Sequence, residues 1–263
     1  MKKNWLNLLG VLSLWSLIAA IVWNAYVIKR HKQLTSTEIE TIVHNYLLSN
    51  PRIMLEMDDR LRAQERAEEA AAIQRIKEAV GKEFSTMLQS PGELSGVVGT
   101  AKQDYVLWYF TQPRCPSCHK ADRIVQEVVT RHPELEQRVY YWPFFGGEAL
   151  KVAKLVMAAQ QQGLASEFYQ MVIGYDGALT EVNVQNLAGG LPGLDTGRLV
   201  QDVNQPSLNK ILKDNFILAS KLYLTGTPTI IITDRFGKKI EIISGFSETL
   251  KDDLEKRIDR IKQ

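Results

Sequence analysis

The chain has 263 residues, 45% of them hydrophobic and 24% charged, which is enough apolar content for one full-sized core plus an appendage and too much for a disordered protein. A formal net charge of +2 gives no field strong enough to argue for nucleic acid or an acidic substrate, so nucleic-acid binding is set aside. Two cysteines are too few for a disulfide scaffold or an all-thiolate zinc site, and they point to redox work or to a covalently attached cofactor.

From Trp5 to Ile28 the chain carries no charge for 24 residues. As a helix this stretch would run about 36 Å, enough to cross a hydrocarbon core of about 30 Å. Its length and the lack of a clear cleavage box favour an uncleaved signal anchor over residues 1–32, with a cleaved signal peptide as the competing reading. Trp5 and Tyr26 sit near its ends, where amphipathic rings prefer the interface. Lys2 and Lys3 face Lys29, Arg30 and Lys32 across the segment, so charge alone does not orient it.

Residues 35–90 read as a helical stalk. Thr37 is placed to cap a helix whose apolar positions Ile39, Ile42, Val43, Tyr46 and Leu47 form one stripe. Asn50 and Pro51 break it, and a second helix is expected to run to about Leu88. Its middle is polar, with Glu56 and Asp58 each four residues before an arginine. A short apolar stripe outside the membrane predicts self-association into a homo-oligomer; the alternative is a solvated helix that docks its ends on the domain.

After Ser90, Pro91 and Gly92, residues 91–263 read as an α/β domain. Gly96 to Thr100 is short and apolar, and Tyr105 to Phe110 reads as a buried strand. Pro116 to Arg131 has helical spacing, and Arg138 to Phe145 reads as a second strand, which makes a βαβ unit with a parallel pair. Residues 146–223 turn helical and read as an insertion. Gly226 to Thr233 (GTPTIIIT) and KIEIIS are further strands, and the last helix places Leu250, Leu254, Ile258 and Ile261 on one face to cover the sheet. Trp108, Tyr140, Tyr141, Trp142, Phe144 and Phe145 are expected in the core.

Cys115 and Cys118 stand at the turn from strand to helix. One turn of helix brings two sulfurs at this spacing within disulfide reach while leaving the first exposed. Free backbone N–H groups and the helix dipole favour a thiolate at Cys115, so it should be the nucleophile, with Cys118 resolving the mixed disulfide. CPSCH, with His119, also fits the attachment box of c-type haem, but that box requires neither a preceding strand nor a distant GTPT. His31, His44 and His132 lack workable spacing for zinc, and neither metal nor cofactor is expected.

Together the CPSC dithiol after a buried strand, the helical insertion, GLD near residue 194 and the threonine-proline of GTPT resemble the DsbA-like branch of the thioredoxin superfamily, over roughly residues 90–263. The anchor and stalk resemble, more loosely, its membrane-tethered or oligomeric ScsC-type relatives. The expected architecture is thus a thioredoxin-like α/β fold with an inserted helical domain, preceded by a transmembrane helix and a stalk. The resemblance implies that Pro228 is cis beside the dithiol, that the Thr227 backbone pairs with an extended substrate, and that Pro116 and Ser117, with His119 nearby, tune the redox poise. Strongly oxidising relatives carry His where this chain has Ser117; relatives often carry a buried acid where it has Tyr109, so a carboxylate relay at that place is not implied.

The function expected is thiol:disulfide exchange on unfolded or misfolded cysteine-containing exported proteins, tilted toward isomerase or reductase. A DsbB-like or DsbD-like membrane partner would recycle the dithiol. Disulfide exchange on other proteins has its use in an oxidising compartment, which places the domain in a bacterial periplasm on an inner-membrane anchor. The competing readings are an oligomeric envelope scaffold with a structural redox fold and, less favoured, a c-type haem carrier.

Overall fold

The computed structural model describes residues 15–26, 34–89 and 103–263. It divides into two compact units, Met1–Ala67 and Glu68–Gln263, so the boundary falls inside a helix and not at the expected linker near residue 90.

In the first unit, residues 15–26 form an exposed helix, α1. Among the described residues no helix is long and apolar enough to cross a membrane, and residues 5–14 and 27–28 of the expected span lie outside them. Helix α2 (Ser36–Ser49) is capped by Thr35, not Thr37. The Thr35 hydroxyl accepts from the Glu38 N–H at 3.3 Å, and the Glu38 carboxylate accepts from the Thr35 N–H at 3.0 Å. That reciprocal pair satisfies two otherwise orphan donors, which a cap at Thr37 would leave open. The Asn50 amide closes the other end by donating to the Tyr46 carbonyl at 2.8 Å. Helix α3 (Arg52–Gln89) begins after Pro51, as expected, and carries an Asp58–Arg62 ion pair in its polar part.

The second unit is built on a four-stranded sheet in the order β2-β1-β3-β4, formed by β1 (Tyr105–Thr111), β2 (Leu135–Tyr141), β3 (Thr229–Asp234) and β4 (Ile240–Ser244). The β1–β2 pair is parallel, joined by α4 (Pro116–Arg131), and the other two pairs are antiparallel. The β2 strand starts three residues earlier and stops four earlier than the spacing predicts. Trp142 and Pro143 follow it, and proline cannot donate to the ladder. The apolar segment expected at 96–100 lies outside the described residues.

Alternation along β1 divides the core in two. Trp108 and Phe110, with Tyr140, Ile231 and Ile242, face the C-terminal part of α3 (Ile76, Ala79, Val80, Met87) and Leu218, Ala219 and Leu222. Leu107 and Tyr109 face α4 and the final helix α10 (Leu250–Lys262), whose Leu250, Leu254, Ile258 and Ile261 are all buried as the spacing predicts. Burying such side chains stabilises by roughly 1.5–3 kcal/mol each. Between β2 and β3 the chain forms α5 (Gly147–Gln160), α6 (Ala165–Ile173), α7 (Glu181–Ala188), α8 (Thr196–Asp202) and α9 (Pro206–Lys221), the helical insertion, with a core of its own. Phe145 departs from its expected core position: it is 75% exposed beyond the end of β2.

Candidate active site

Four residues, Gln112 to Cys115, turn the chain from β1 into α4. The Cys115 N–H donates to the Gln112 carbonyl at 3.2 Å, and Cys115 is the N-cap of α4 with Pro116 in the first turn. Proline there costs no hydrogen bond, and the remaining N–H groups of the turn converge on the cap side chain. The Cys118 N–H donates to Cys115 Sγ at 3.2 Å.

Facing the helix end, the Thr227–Pro228 peptide is cis, and the Cys115 thiol points at the Thr227 carbonyl, 3.6 Å away. This loop is tied down twice: the Gly245 N–H donates to the Pro228 carbonyl at 2.8 Å, and the Thr229 hydroxyl donates to the Gly226 carbonyl at 2.7 Å. Cys115 keeps 8% of its surface exposed and Cys118 none. The first sulfur is therefore less open than the spacing predicts, because the Thr227 loop lies against it. Pro116 and Ser117 are exposed beside it.

This environment separates the two thiols. Cys115 is drawn down from 9.0 to about 6, first by the hydrogen bond from the Cys118 thiol and then, against the cost of burial, by the Cys118 and Ser117 N–H groups and the Thr227 side chain. Burial pushes Cys118 far up from 9.0, and its hydrogen bond to Cys115 adds to the rise. The Thr227 hydroxyl is buried and has no hydrogen-bond partner. One sulfur is thus ionised near neutral pH and the other holds its proton, the division that nucleophile and resolving thiol require.

His119, in the first turn of α4, is partly buried. Its Nε2 lies 2.5 Å from the Pro113 carbonyl, where it closes the loop before Cys115. Among the described residues no three His, Cys, Asp or Glu side chains converge as a metal site.

Asp122, which sequence reasoning missed, is the unexpected member of the site. It is 7% exposed, and its carboxylate accepts from Tyr109 Oη at 2.5 Å, Tyr169 Oη at 2.5 Å and Thr111 Oγ1 at 3.3 Å. Burial lifts it from 3.8 to about 6, held back by the two tyrosine hydroxyls, by His119 and by Thr111. Tyr109 on β1 is thus met by a carboxylate from α4. A signal was present: Cys118, Ala121, Asp122 and Val125 lie on one buried face of α4, and an acid in such a stripe needs a partner.

A sequence profile described as a thioredoxin-like domain matches residues 97–262, and one described as the copper resistance protein ScsC N-terminal domain matches residues 37–68. No curated protein sequence matches the chain significantly. Among solved structures, a thioredoxin-like oxidoreductase from Silicibacter pomeroyi is 27% identical, with a TM-score of 0.59 over 66% of this chain and 95% of its own. A linker-deletion mutant of ScsC from Proteus mirabilis is 21% identical, with a TM-score of 0.61 over 88% of this chain and 98% of its own. The thiol-disulfide exchange protein α-DsbA2 of Wolbachia pipientis is 15% identical, with a TM-score of 0.58 over 70% of this chain and 95% of its own. With the profile match spanning more than half its length, from before β1 through the dithiol to α10, the chain belongs to the thioredoxin-like domain family.

Proposed function

We propose that the protein is a thiol:disulfide oxidoreductase acting on exported proteins through Cys115 and Cys118. The observation that carries this reading is Cys115 Sγ at the N-terminus of α4, drawn down to about 6 and facing the Thr227 carbonyl. At pH 7 about nine-tenths of such a thiol is ionised, against about one per cent at its ordinary value of 9.0. The Cys115 thiolate attacks one sulfur of a substrate disulfide, forms a mixed disulfide and releases the other sulfur as a thiolate. Cys118 then attacks Cys115 Sγ, closes the protein disulfide and frees the reduced substrate; the reverse sequence oxidises a substrate dithiol. An extended substrate segment pairs with the backbone at Thr227, a contact that ignores side-chain identity and suits unfolded or misfolded clients.

The value of about 6 for Cys115 lies between about 7 for thioredoxin and about 3.5 for the strong oxidant DsbA. That supports moderate poise, and with Ser117 between the cysteines it favours isomerase or reductase work over strong oxidation. The same reading places the catalytic unit in a bacterial periplasm, held on the inner membrane by residues 5–28, recycled by a DsbB-like or DsbD-like partner, and self-associated through α2. Its test is turnover with a protein disulfide such as insulin. Cys115→Ala should abolish reduction, and Cys118→Ala should accumulate mixed disulfides visible on a non-reducing gel. Unchanged turnover in either variant would refute the assignment.

A further inference from the structure

Where the helical insertion meets the sheet, a cavity of about 260 Å³ lies between β1, β2 and α4 on one side and α5 and α6 on the other. Neither cysteine lines it. Its buried wall holds Asp122, Gln137 and the rings of Tyr109, Tyr141 and Tyr169, and Glu167 stands on its exposed wall. Two acceptors in the buried wall have capacity left. Gln137 is 4% exposed, and its Oε1 has no hydrogen-bond partner. Asp122 Oδ1 accepts from Tyr109 and Thr111 but Oδ2 from Tyr169 alone, and a carboxylate offers about four acceptor sites.

Charge points the same way. The lining holds two carboxylates and neither lysine nor arginine. Arg123 and Arg131 line the adjoining surface groove, where Arg131 is held by Glu255 at 2.6 Å. His119 reaches Asp122 electrostatically, but its Nε2 is taken up by the Pro113 carbonyl. A buried carboxylate is costly without a positive partner. The Tyr141 and Tyr169 rings, 5.9 Å apart and tilted by 56°, make an aromatic corner beside it, and ring faces attract cations.

We propose that the cavity binds a linear diamine, one ammonium donating to Asp122 Oδ2 and the Gln137 amide oxygen beside the tyrosine rings, the other pairing with Glu167 at the exposed wall. An unfilled amide oxygen calls for a ligand with N–H groups, which a quaternary ammonium lacks, and two carboxylates call for two charges. At about 30 Å³ for each water-sized group the volume takes about eight heavy atoms, so a chain of four or five carbons fits between the nitrogens. Asp122, lifted to about 6, is ionised at neutral pH and open to the cation. Occupancy of this site does not depend on the thiol-exchange reading.

Isothermal titration of the full-length protein with 1,5-diaminopentane at pH 7.5 tests this. The wild type should bind one molecule per chain, and 1,5-pentanediol, of the same length without charge, should give no saturable heat. Pentylamine should bind up to about 5-fold more weakly, since it forgoes the exposed pair with Glu167. Glu167→Gln should lower the affinity for the diamine to that for pentylamine and leave pentylamine unchanged, which a general loss of structure would not do. Gln137→Met, which keeps the side-chain length, should weaken both amines about 10-fold or more, and Asp122→Asn about 100-fold. No saturable binding to the wild type would show that the cavity holds only solvent and would overturn the site. Equal binding of the diol, or undiminished affinity in Gln137→Met, would overturn it too, and the latter decides the matter should Asp122→Asn fail to fold. Equal affinity for pentylamine and the diamine in the wild type would overturn the assignment of Glu167.

Discussion

At the scale of single residues, the site works by setting groups of one kind apart. Two cysteines three residues apart differ because one caps a helix and is bathed in N–H donors while the other is sealed beneath it. The place of Cys115 at the start of α4 was readable from spacing alone, since a helix start supplies its donors to any cap. Asp122 was legible only as an acid in the apolar stripe of α4; its partners come from β1 and from a helix 47 residues away, and that convergence leaves no local pattern. Its burial has a consequence for stability. A carboxyl raised in the folded state from 3.8 to about 6 binds its proton more tightly folded than unfolded, so stability rises as pH falls through 6 and the gain is complete below about 3.8. At 1.36 kcal/mol per unit the full effect is about 3 kcal/mol, of which about 2 kcal/mol is present by pH 4.5. Urea unfolding of the reduced protein at pH 7.5 and pH 4.5 should show the wild type gaining that much relative to Asp122→Asn. A pH-independent difference would show that the carboxyl is not held out of solvent.

At the scale of elements, the part of α3 after residue 68 belongs to the catalytic unit, covering the sheet face opposite α4. Its end is locked by one side chain. Arg138 Nη1 donates to the Met87 and Leu88 carbonyls at 3.2 and 3.1 Å, its guanidinium lies 5.0 Å from the Trp108 ring, and it pairs with the buried Glu136 at 2.6 Å. A cation at a helix C-terminus meets the negative end of the dipole and satisfies orphan carbonyls. Polar Glu136, Gln137 and Arg138 interrupt the apolar run that marks a buried strand, which is why the start of β2 was misplaced while its existence was plain. The buried face of α10, by contrast, was legible in full, because its apolar repeat needs only the sheet beneath it. Removing one partner of a buried ion pair costs about 3–5 kcal/mol. Arg138→Met should therefore lower stability by about 3 kcal/mol in urea unfolding while the far-ultraviolet spectrum of the folded state persists. A loss under about 1 kcal/mol would mean that solvent caps α3 as well as the arginine does.

For the whole molecule, the second unit carries its own buried core, while α2 buries no residue. The α2 helix has no buried residue, and Ile39, Ile42, Val43 and Tyr46 are each about half exposed along the stripe that the sequence showed. The start of α3 adds Met54, Met57 and Leu61, all exposed as well. An apolar stripe of this kind fits the self-association proposed for α2. Light scattering on a protein beginning at Gln33 should give more than one chain per particle, and Val43→Glu should reduce it to one. A single chain in both would remove the self-association proposal. A cut at residue 90 would not serve as the monomeric control, since it would strip Ile76, Val80 and Met87 from the core of the catalytic unit.

The account stands on Cys115 being ionised at neutral pH while its neighbour is not. Alkylation of the reduced protein with iodoacetamide across pH 4 to 9, read at each cysteine by mass spectrometry, measures this directly. The rate at Cys115 should reach half its maximum near pH 6, with Cys118 unmodified throughout. A midpoint near the ordinary 9.0, or modification of Cys118 ahead of Cys115, would contradict it.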